Sequence, residues 1–85
     1  MIITWDNAKR LANLDKHGMD FAELDVDFFI SSVVIPARAP RFKAIGQLRG
    51  VAIIVVIFAP LGTEAVSIVS MRPASAKEKE LLHDG

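Results

Sequence analysis

The sequence predicts a small α+β domain in which an antiparallel β-sheet packs against two N-terminal helices and a short C-terminal helix. Three observations support this fold class. A helix with well-marked ends lies near the N-terminus, closely spaced apolar strands fill residues 41–72, and a helix-capping signal follows them. The predicted order is β-α-α-β-β-β-β-α. With 85 residues, 52% of them hydrophobic, the chain fits one domain over residues 1–85.

The N-terminal residues 1–5 are apolar and rich in β-formers, which predicts a first strand. Asp6 then offers an N-cap oxygen to a helix from about Asn7 to His17. Gly18, directly after this segment, can adopt the left-handed conformation that ends many helices. The residues of this helix expected to face the core are Ala8, Leu11 and Ala12.

A second helix is predicted from about Phe21 to Phe29. Asp20 and Glu23 have the spacing of a capping box at its start. An apolar stripe at i, i+3 and i+7 within this helix indicates core packing and not a ligand site. The stripe consists of Phe21, Leu24 and Phe28.

Four further strands are predicted at residues 31–35, 41–48, 51–59 and 64–72, with turns at 49–50 and 60–62. The continuous apolar run in the third of these is typical of a central strand that is covered on both faces. Closely spaced hairpins leave no room for parallel crossovers, so the sheet is predicted to have three or four antiparallel strands. Ser75 and Glu78 form a capping box that opens a last helix to about Leu82.

The charges are segregated along the chain although the formal net charge is zero. Five acids lie between residues 15 and 27, whereas residues 28–63 contain no acid and four cations, which are Arg38, Arg41, Lys43 and Arg49. A zero net charge argues against indiscriminate nucleic-acid binding, but the basic middle segment favours a local site for a phosphate-rich polymer such as RNA.

Composition also excludes several classes of protein. There is no cysteine, the first residues do not resemble a signal peptide, and the longest apolar run is too short to span a bilayer. We therefore expect a cytoplasmic protein without membrane contact. His17 and His83 are distant in sequence and no compact cluster of acids and histidines appears, so neither a metal site nor a cofactor is expected.

The candidate phosphate ligands are Arg41 and Lys43, two residues apart on one predicted strand, and Arg72 at the end of the last strand. Residues two apart on a strand share a face, so one phosphate could bridge Arg41 and Lys43, and arginine can bind two phosphate oxygens at once. The alternative is that these residues are ordinary surface charges, which also prevent unwanted strand pairing.

Candidates for proton transfer lie on the first helix. An imidazole can act as a general acid or base near neutral pH, which makes His17 a candidate, although a histidine at a helix C-terminus also compensates the helix dipole. Lys9 and Lys16 are two turns apart on nearly one face and could contact RNA, or could simply be solvated. Trp5 and Phe42 could stack on bases, but core packing is the more usual role of such residues.

Several motifs together resemble the BrnT family of bacterial toxins. The opening signature is Trp5-Asp6-Asn7-Ala8-Lys9, followed by Asn13, Lys16-His17-Gly18 and Phe21. The resemblance continues through Arg41 and Ala44-Ile45-Gly46, and ends with Ser70-Met71-Arg72-Pro73-Ala74-Ser75 and the trailing acid Glu78. It therefore covers nearly the whole chain.

This resemblance implies a RelE-like fold and a metal-independent ribonuclease toxin of a type II toxin-antitoxin system that inhibits translation and growth. It also implies a hetero-oligomer with a BrnA-type antitoxin, whose ribbon-helix-helix domain would provide the only contact with operator DNA. The residues expected to be catalytic are Arg41, Arg72, His17 and Lys9. Those expected to bind RNA are Lys43, Arg38, Lys16 and Lys77.

One departure from the family pattern leaves a second hypothesis open. Family members usually carry an acid shortly before the arginine that corresponds to Arg41, but residues 37–40 read Ala-Arg-Ala-Pro. With no acid expected beside the cationic face, phosphate binding is better supported than cleavage. The alternative function is a catalytically weakened, toxin-derived module that binds the antitoxin and corepresses its promoter.

Overall fold

The computed structural model describes residues 1–84 and confirms the α+β class. Within this range no helix is both long enough and apolar enough to cross a membrane. A short 3₁₀ turn (Phe21–Glu23) accompanies the regular elements. These are β1 (Ile2–Trp5), α1 (Asn7–His17), α2 (Val26–Ser31), β2 (Val33–Pro36), β3 (Phe42–Leu48), β4 (Ala52–Leu61), β5 (Ala65–Pro73) and α3 (Ala76–Asp84).

The five strands form one sheet in the order β1-β5-β4-β3-β2. Strands β2 to β5 pair antiparallel as predicted, but β1 lies parallel to β5 at the edge of the sheet. The expectation of an entirely antiparallel sheet of three or four strands was therefore wrong. Short hairpins exclude a parallel pair only between consecutive strands, whereas the whole segment from α1 to β4 connects β1 to β5.

The predicted second helix is divided into the 3₁₀ turn and α2. Leu24 and Asp25 are extended at the break, and the Asp25 carboxylate accepts a hydrogen bond of 2.9 Å from the amide of Phe28. Asp25 is thus a second N-cap and not an interior helix residue, in keeping with the preference of aspartate for caps. The predicted apolar stripe is nevertheless confirmed, because all three of its residues are buried.

The core lies between one face of the sheet and the segment that contains the 3₁₀ turn and α2. Phe21 and Phe28 pack there with the buried strand residues Ala44, Val56 and Met71. Helix α2 approaches β3 so closely that a β-carbon at Gly46 would lie 2.9 Å from the Phe28 ring.

The opposite face of the sheet is covered by α3 in part. Ile45 on β3 and Val55 on β4 point to this face and are wholly inaccessible, which confirms that the central strand is covered on both sides.

Helix α1 lies beside β5, where β1 ends. Strand β1 pairs only as far as Trp5 with Ile68, and beyond that point the side chain of Asn13 replaces a neighbouring strand. Its Oδ1 accepts a hydrogen bond of 3.0 Å from the Met71 amide, and its Nδ2 donates one of 3.0 Å to the Met19 carbonyl.

This position corrects the predicted core face of α1. Asn13 is the buried residue of α1. The three residues predicted to face the core, Ala8, Leu11 and Ala12, are all exposed. The helix packs against the edge of β5 through a buried amide instead of laying an apolar stripe on the sheet.

A β-bulge in β5 reverses the direction of its side chains. Ile57 pairs with Ser70 but the next residue of β4, Phe58, pairs with Ile68, so that Val69 is an additional residue. Before the bulge the even-numbered residues of β5 face the core, and after it they face α3. The bulge therefore places Arg72 on the α3 side of the sheet.

We predict that Asn13→Ala lowers the free energy of unfolding by about 1 to 3 kcal/mol, because it leaves the buried Met71 amide without an acceptor. Urea unfolding followed by circular dichroism measures this change. Asn7→Ala removes an exposed amide from the same helix and should cost less than about 0.5 kcal/mol. Equal losses in the two variants would contradict the bridging role of Asn13.

Candidate active site

The carboxylate of Glu78 joins three elements on the α3 side of the sheet. Arg72 at the end of β5 donates two hydrogen bonds to it, from Nη1 to Oε1 at 2.8 Å and from Nη2 to Oε2 at 2.9 Å. Lys43 on β3 donates a third through Nζ to Oε2 at 2.9 Å. The amide of Ser75 donates a fourth to Oε1 at 2.9 Å, and the Ser75 hydroxyl accepts one from the Glu78 amide at 3.2 Å. The predicted capping box is thus confirmed.

This arrangement places an acid beside Arg72, whereas residues 37–40 before Arg41 contain none. Glu78 is only 7% exposed, and four donors occupy the acceptor positions that a carboxylate offers. The hydrogen bonds from Arg72 above all, against the opposing effect of burial, hold the pKa of Glu78 well below its ordinary value of 4.5. A carboxylate in this state remains ionised, so it orients cations and is not suited to accept a proton.

A groove of about 380 Å³ lies between α1 and β5, next to this ion pair. Lys9, Lys16 and His17 line it from one face of α1, and Arg72 lines it from β5. Their spacing of seven and eight residues along the helix places the three α1 side chains on one face. Four of the predicted site residues therefore meet at one groove.

Arg41 and Arg38 lie elsewhere. Both are exposed in the segment between β2 and β3. The strand register places Arg41 four residue steps along the sheet and two strands across from Arg72, which corresponds to roughly 16 Å between their Cα atoms. The expectation that one phosphate bridges Arg41 and Lys43 does not fit this geometry, since Lys43 is paired with Glu78. The roles of Arg41 and Arg38 on RNA remain predictions.

The remaining candidates divide between surface and core. Lys77 is exposed on the first turn of α3 and does not line the groove. Trp5 packs edge-on against Phe21 with ring centroids 6.3 Å apart, and Phe42 stacks on Phe58 at 6.0 Å. Both aromatic residues are thus partners of the core cluster.

No group of three or more histidine, cysteine, aspartate or glutamate side chains is placed to hold a metal ion within the part of the chain described here. The charged groups at the groove are cations, whose chemistry suits anion binding and not metal coordination.

Comparison with known proteins agrees with this geometry. The family model for "Ribonuclease toxin, BrnT, of type II toxin-antitoxin system" matches residues 5–78, which include every residue that forms the groove and the ion pair. The chain belongs to the BrnT family. Membership in a family of type II toxins implies a protein antitoxin as partner.

The 1.1 Å crystal structure of the ribonuclease toxin BrnT from Brucella abortus is similar to this BrnT-family chain. The two share 53% sequence identity with a TM-score of 0.85, over 88% of this chain and 97% of the Brucella protein. Comparison with curated proteins gave no match.

Glu78 is the member of the site that sequence reasoning missed, because its capping role already accounted for it. A signal was nevertheless present. A capping-box glutamate three residues after Ser75 and six after Arg72 can reach back past the N-terminus of the helix to the end of the preceding strand.

We predict that low pH destabilises this BrnT-family fold because Glu78 becomes protonated. Its pKa in the folded state lies below the ordinary value of 4.5, so its contribution to stability is present above pH 4.5 and is lost as the pH falls below it. At pH 7, Glu78→Gln should lower the free energy of unfolding by about 1 to 3 kcal/mol. The difference from wild type should shrink between pH 4.5 and pH 3.

Asp20 also contributes stability that is lost in acid, because the hydrogen bond from Arg10 lowers its pKa to about 2 from an ordinary 3.8. Urea unfolding at a series of pH values measures both effects. The matched control is Glu80→Gln on the exposed side of α3, which should follow the wild-type curve. A gap between wild type and Glu78→Gln that stays constant down to pH 3 would contradict the assignment.

Proposed function

We propose that this protein is an endoribonuclease that cleaves RNA without a metal ion and thereby inhibits translation and growth. The observation that carries the proposal is the meeting of Lys9, Lys16, His17 and Arg72 at one groove. Cations bind the phosphate backbone, and an imidazole can move protons near neutral pH. Membership in a family of ribonuclease toxins supports the same function.

In the proposed reaction the ribose 2′-hydroxyl attacks the adjacent phosphorus. The 2′-oxygen loses its proton to a base, the O2′–P bond forms, and the P–O5′ bond breaks. The 5′-oxygen then takes up a proton, leaving a 2′,3′-cyclic phosphate and a free 5′-hydroxyl. We assign the proton transfer to His17, with Lys9 as the second candidate, and the stabilisation of charge on the phosphate oxygens to Arg72.

Arg41 and Arg38 have a different proposed role. At roughly 16 Å from Arg72, Arg41 is too distant to share the reacting phosphate, so we propose that it binds the RNA backbone farther along the strand. Lys16 and Lys77 are proposed to bind the RNA backbone as well. Lys43, which pairs with Glu78, adds a positive charge beside Arg72.

Cleavage of single-stranded RNA in the presence of EDTA tests the assignment. Arg72→Ala should lower kcat by about 10² to 10³, the usual loss when a donor to developing charge is removed. His17→Ala should lower kcat by about 10² to 10⁴. Arg41→Ala should raise KM and leave kcat within about twofold, because uniform binding affects KM alone. Arg49→Ala, an exposed cation on the β3–β4 turn, is the control.

Full activity of Arg72→Ala would remove that residue from the mechanism. If the wild type neither cleaves RNA nor arrests growth when expressed alone, the endoribonuclease proposal fails. The alternative function, a module that binds the antitoxin and corepresses its promoter, then remains.

We further propose a BrnA-type antitoxin as the partner, which binds operator DNA through its own ribbon-helix-helix domain. An open part of the sheet, on the face that α3 only partly covers, is suited to it. Half-buried or exposed apolar side chains of β2 and β4 point to this surface, and they are Ile35, Ile57, Ala59 and Leu61. Leu61 is 51% exposed. Arg38 and Arg41 border it and favour an acidic, amphipathic segment.

Since RNA and operator DNA share the bacterial cytoplasm, we propose that location for the complex.

The double variant Arg38→Ala/Arg41→Ala should weaken antitoxin binding and flatten the dependence of Kd on salt concentration, because two cations no longer attract the acidic segment. Titration calorimetry at 50 and 300 mM salt measures both quantities. The pair Lys77→Ala/Lys79→Ala removes the same charge from α3 and is the control. An unchanged salt slope in Arg38→Ala/Arg41→Ala would place the antitoxin on another surface.

A further inference from the structure

The guanidinium of Arg72 has two edges that can each hold an anion with two hydrogen bonds. One edge consists of Nη1 and Nη2, and the other of Nε and Nη2. Glu78 occupies the first edge, at 2.8 and 2.9 Å. The chain also shows the second type of pairing, because Arg10 binds Asp20 through Nε at 2.7 Å and Nη2 at 2.9 Å.

The second edge of Arg72 is free of partners within residues 1–84. The hydrogen bonds of its side chain go from Nη1 and Nη2 to Glu78 and from Nη1 to the Pro73 carbonyl, and none uses Nε. The Arg72 side chain is 34% exposed, against 9% for that of Glu78, and it lines the groove below α1. The accessible part of the pair is thus the arginine and not the acid.

Lys43 adds to the charge at this point. Two cations share one carboxylate, so the cluster of Arg72, Lys43 and Glu78 carries a net charge of +1 in place of the zero charge of a simple ion pair. The carboxylate therefore fixes the guanidinium without cancelling its attraction for a phosphate.

We propose that Glu78 is a positioning residue, which holds Arg72 by one edge so that the Nε and Nη2 edge receives the phosphate of the RNA at the groove. This inference rests on the proposed function and deepens it. An arginine side chain without such a partner samples many rotamers, and fixing it in advance lowers the entropy lost when the phosphate binds. Glu78 itself touches neither substrate nor a transferred proton.

Nuclear magnetic resonance tests the free edge without relying on catalysis. The probe is a short single-stranded RNA with 2′-O-methyl riboses, which can bind but lacks the attacking hydroxyl. On titration the ¹⁵N–¹H signal of Arg72 Nε should shift, whereas that of Arg10 Nε, already engaged by Asp20, should not. Shifts of the α1 amides that line the groove without any shift of Arg72 Nε would overturn the proposal.

Kinetics of Glu78→Gln test the positioning. Glutamine can still accept the bond from the Ser75 amide, but it no longer pairs with the guanidinium by charge. We expect kcat to fall about 10- to 100-fold, with KM unchanged or lower because a positive charge is released. Ser75→Ala weakens the same capping box without touching Arg72, and should lower Tm while kcat stays near the wild-type value. A Glu78→Gln protein that is folded and has the wild-type kcat would overturn the proposal.

If Glu78→Gln does not fold, Arg72→Lys decides the question. Lysine keeps the charge and can pair with Glu78, but its single ammonium offers no second edge. We expect kcat to fall as far as in Arg72→Ala, and a wild-type kcat in Arg72→Lys would overturn the proposal. If wild-type protein cleaves no RNA, the proposed function fails, and the Nε titration still shows separately whether the free edge binds the backbone.

Discussion

The carboxylate of Glu78 is the constraint on which the α3 side of the molecule depends. It accepts hydrogen bonds from the side chains of Arg72 and Lys43 and from the amide of Ser75, and thereby joins β5, β3 and the first turn of α3. Glu78 is only 7% exposed, and a buried carboxylate is costly unless its oxygens accept hydrogen bonds, as they do here. The removal of one partner would leave the others uncompensated, so the cluster stabilises the junction as a unit.

The groove beside this cluster arises where the sheet loses a strand. Strand β1 is only four residues long, and past its end the edge of β5 needs another partner. Asn13 supplies one from α1, which brings the cationic face of that helix against β5. The bulge at Val69 then directs Arg72 to the same place. A short edge strand, a buried amide and one additional residue thus create the concave surface, without any specialised loop.

Capping residues predicted the ends of the helix whose bounds depend on neighbouring residues alone. The bounds of α1 agree with the prediction because Asp6 and Gly18 carry cap chemistry that neighbouring residues suffice to define. Asp25 shows the limit of such signals, since a second cap competes with a continuous helix and tertiary packing decides between them. The bulge and the parallel pairing of β1 depend on contacts between distant segments, which periodicity does not encode.

The site was predictable as a set of residues but not as an arrangement. Arg72, His17 and the two α1 lysines were identified individually, and their meeting required the course of the chain in space. Arg41 illustrates the opposite outcome. Its spacing from Lys43 suggested a shared phosphate, but Lys43 is engaged by Glu78. A charge on a strand can be assigned a face from sequence, whereas its partner depends on which helix covers that face.

The segregation of charge explains how a chain of zero net charge can present a cationic groove. Four of the five acids of residues 15–27 lie in or cap the 3₁₀ turn and α2, which pack on the face of the sheet opposite α3. At physiological ionic strength charges interact over a Debye length of about 8 Å, so acids beyond the thickness of the sheet scarcely weaken the attraction at the groove. The proposed binding of RNA would then depend on a few local contacts and not on the overall field of the protein. Such contacts favour a defined position of the backbone over indiscriminate attachment, which the proposed alignment of one phosphate with His17 requires.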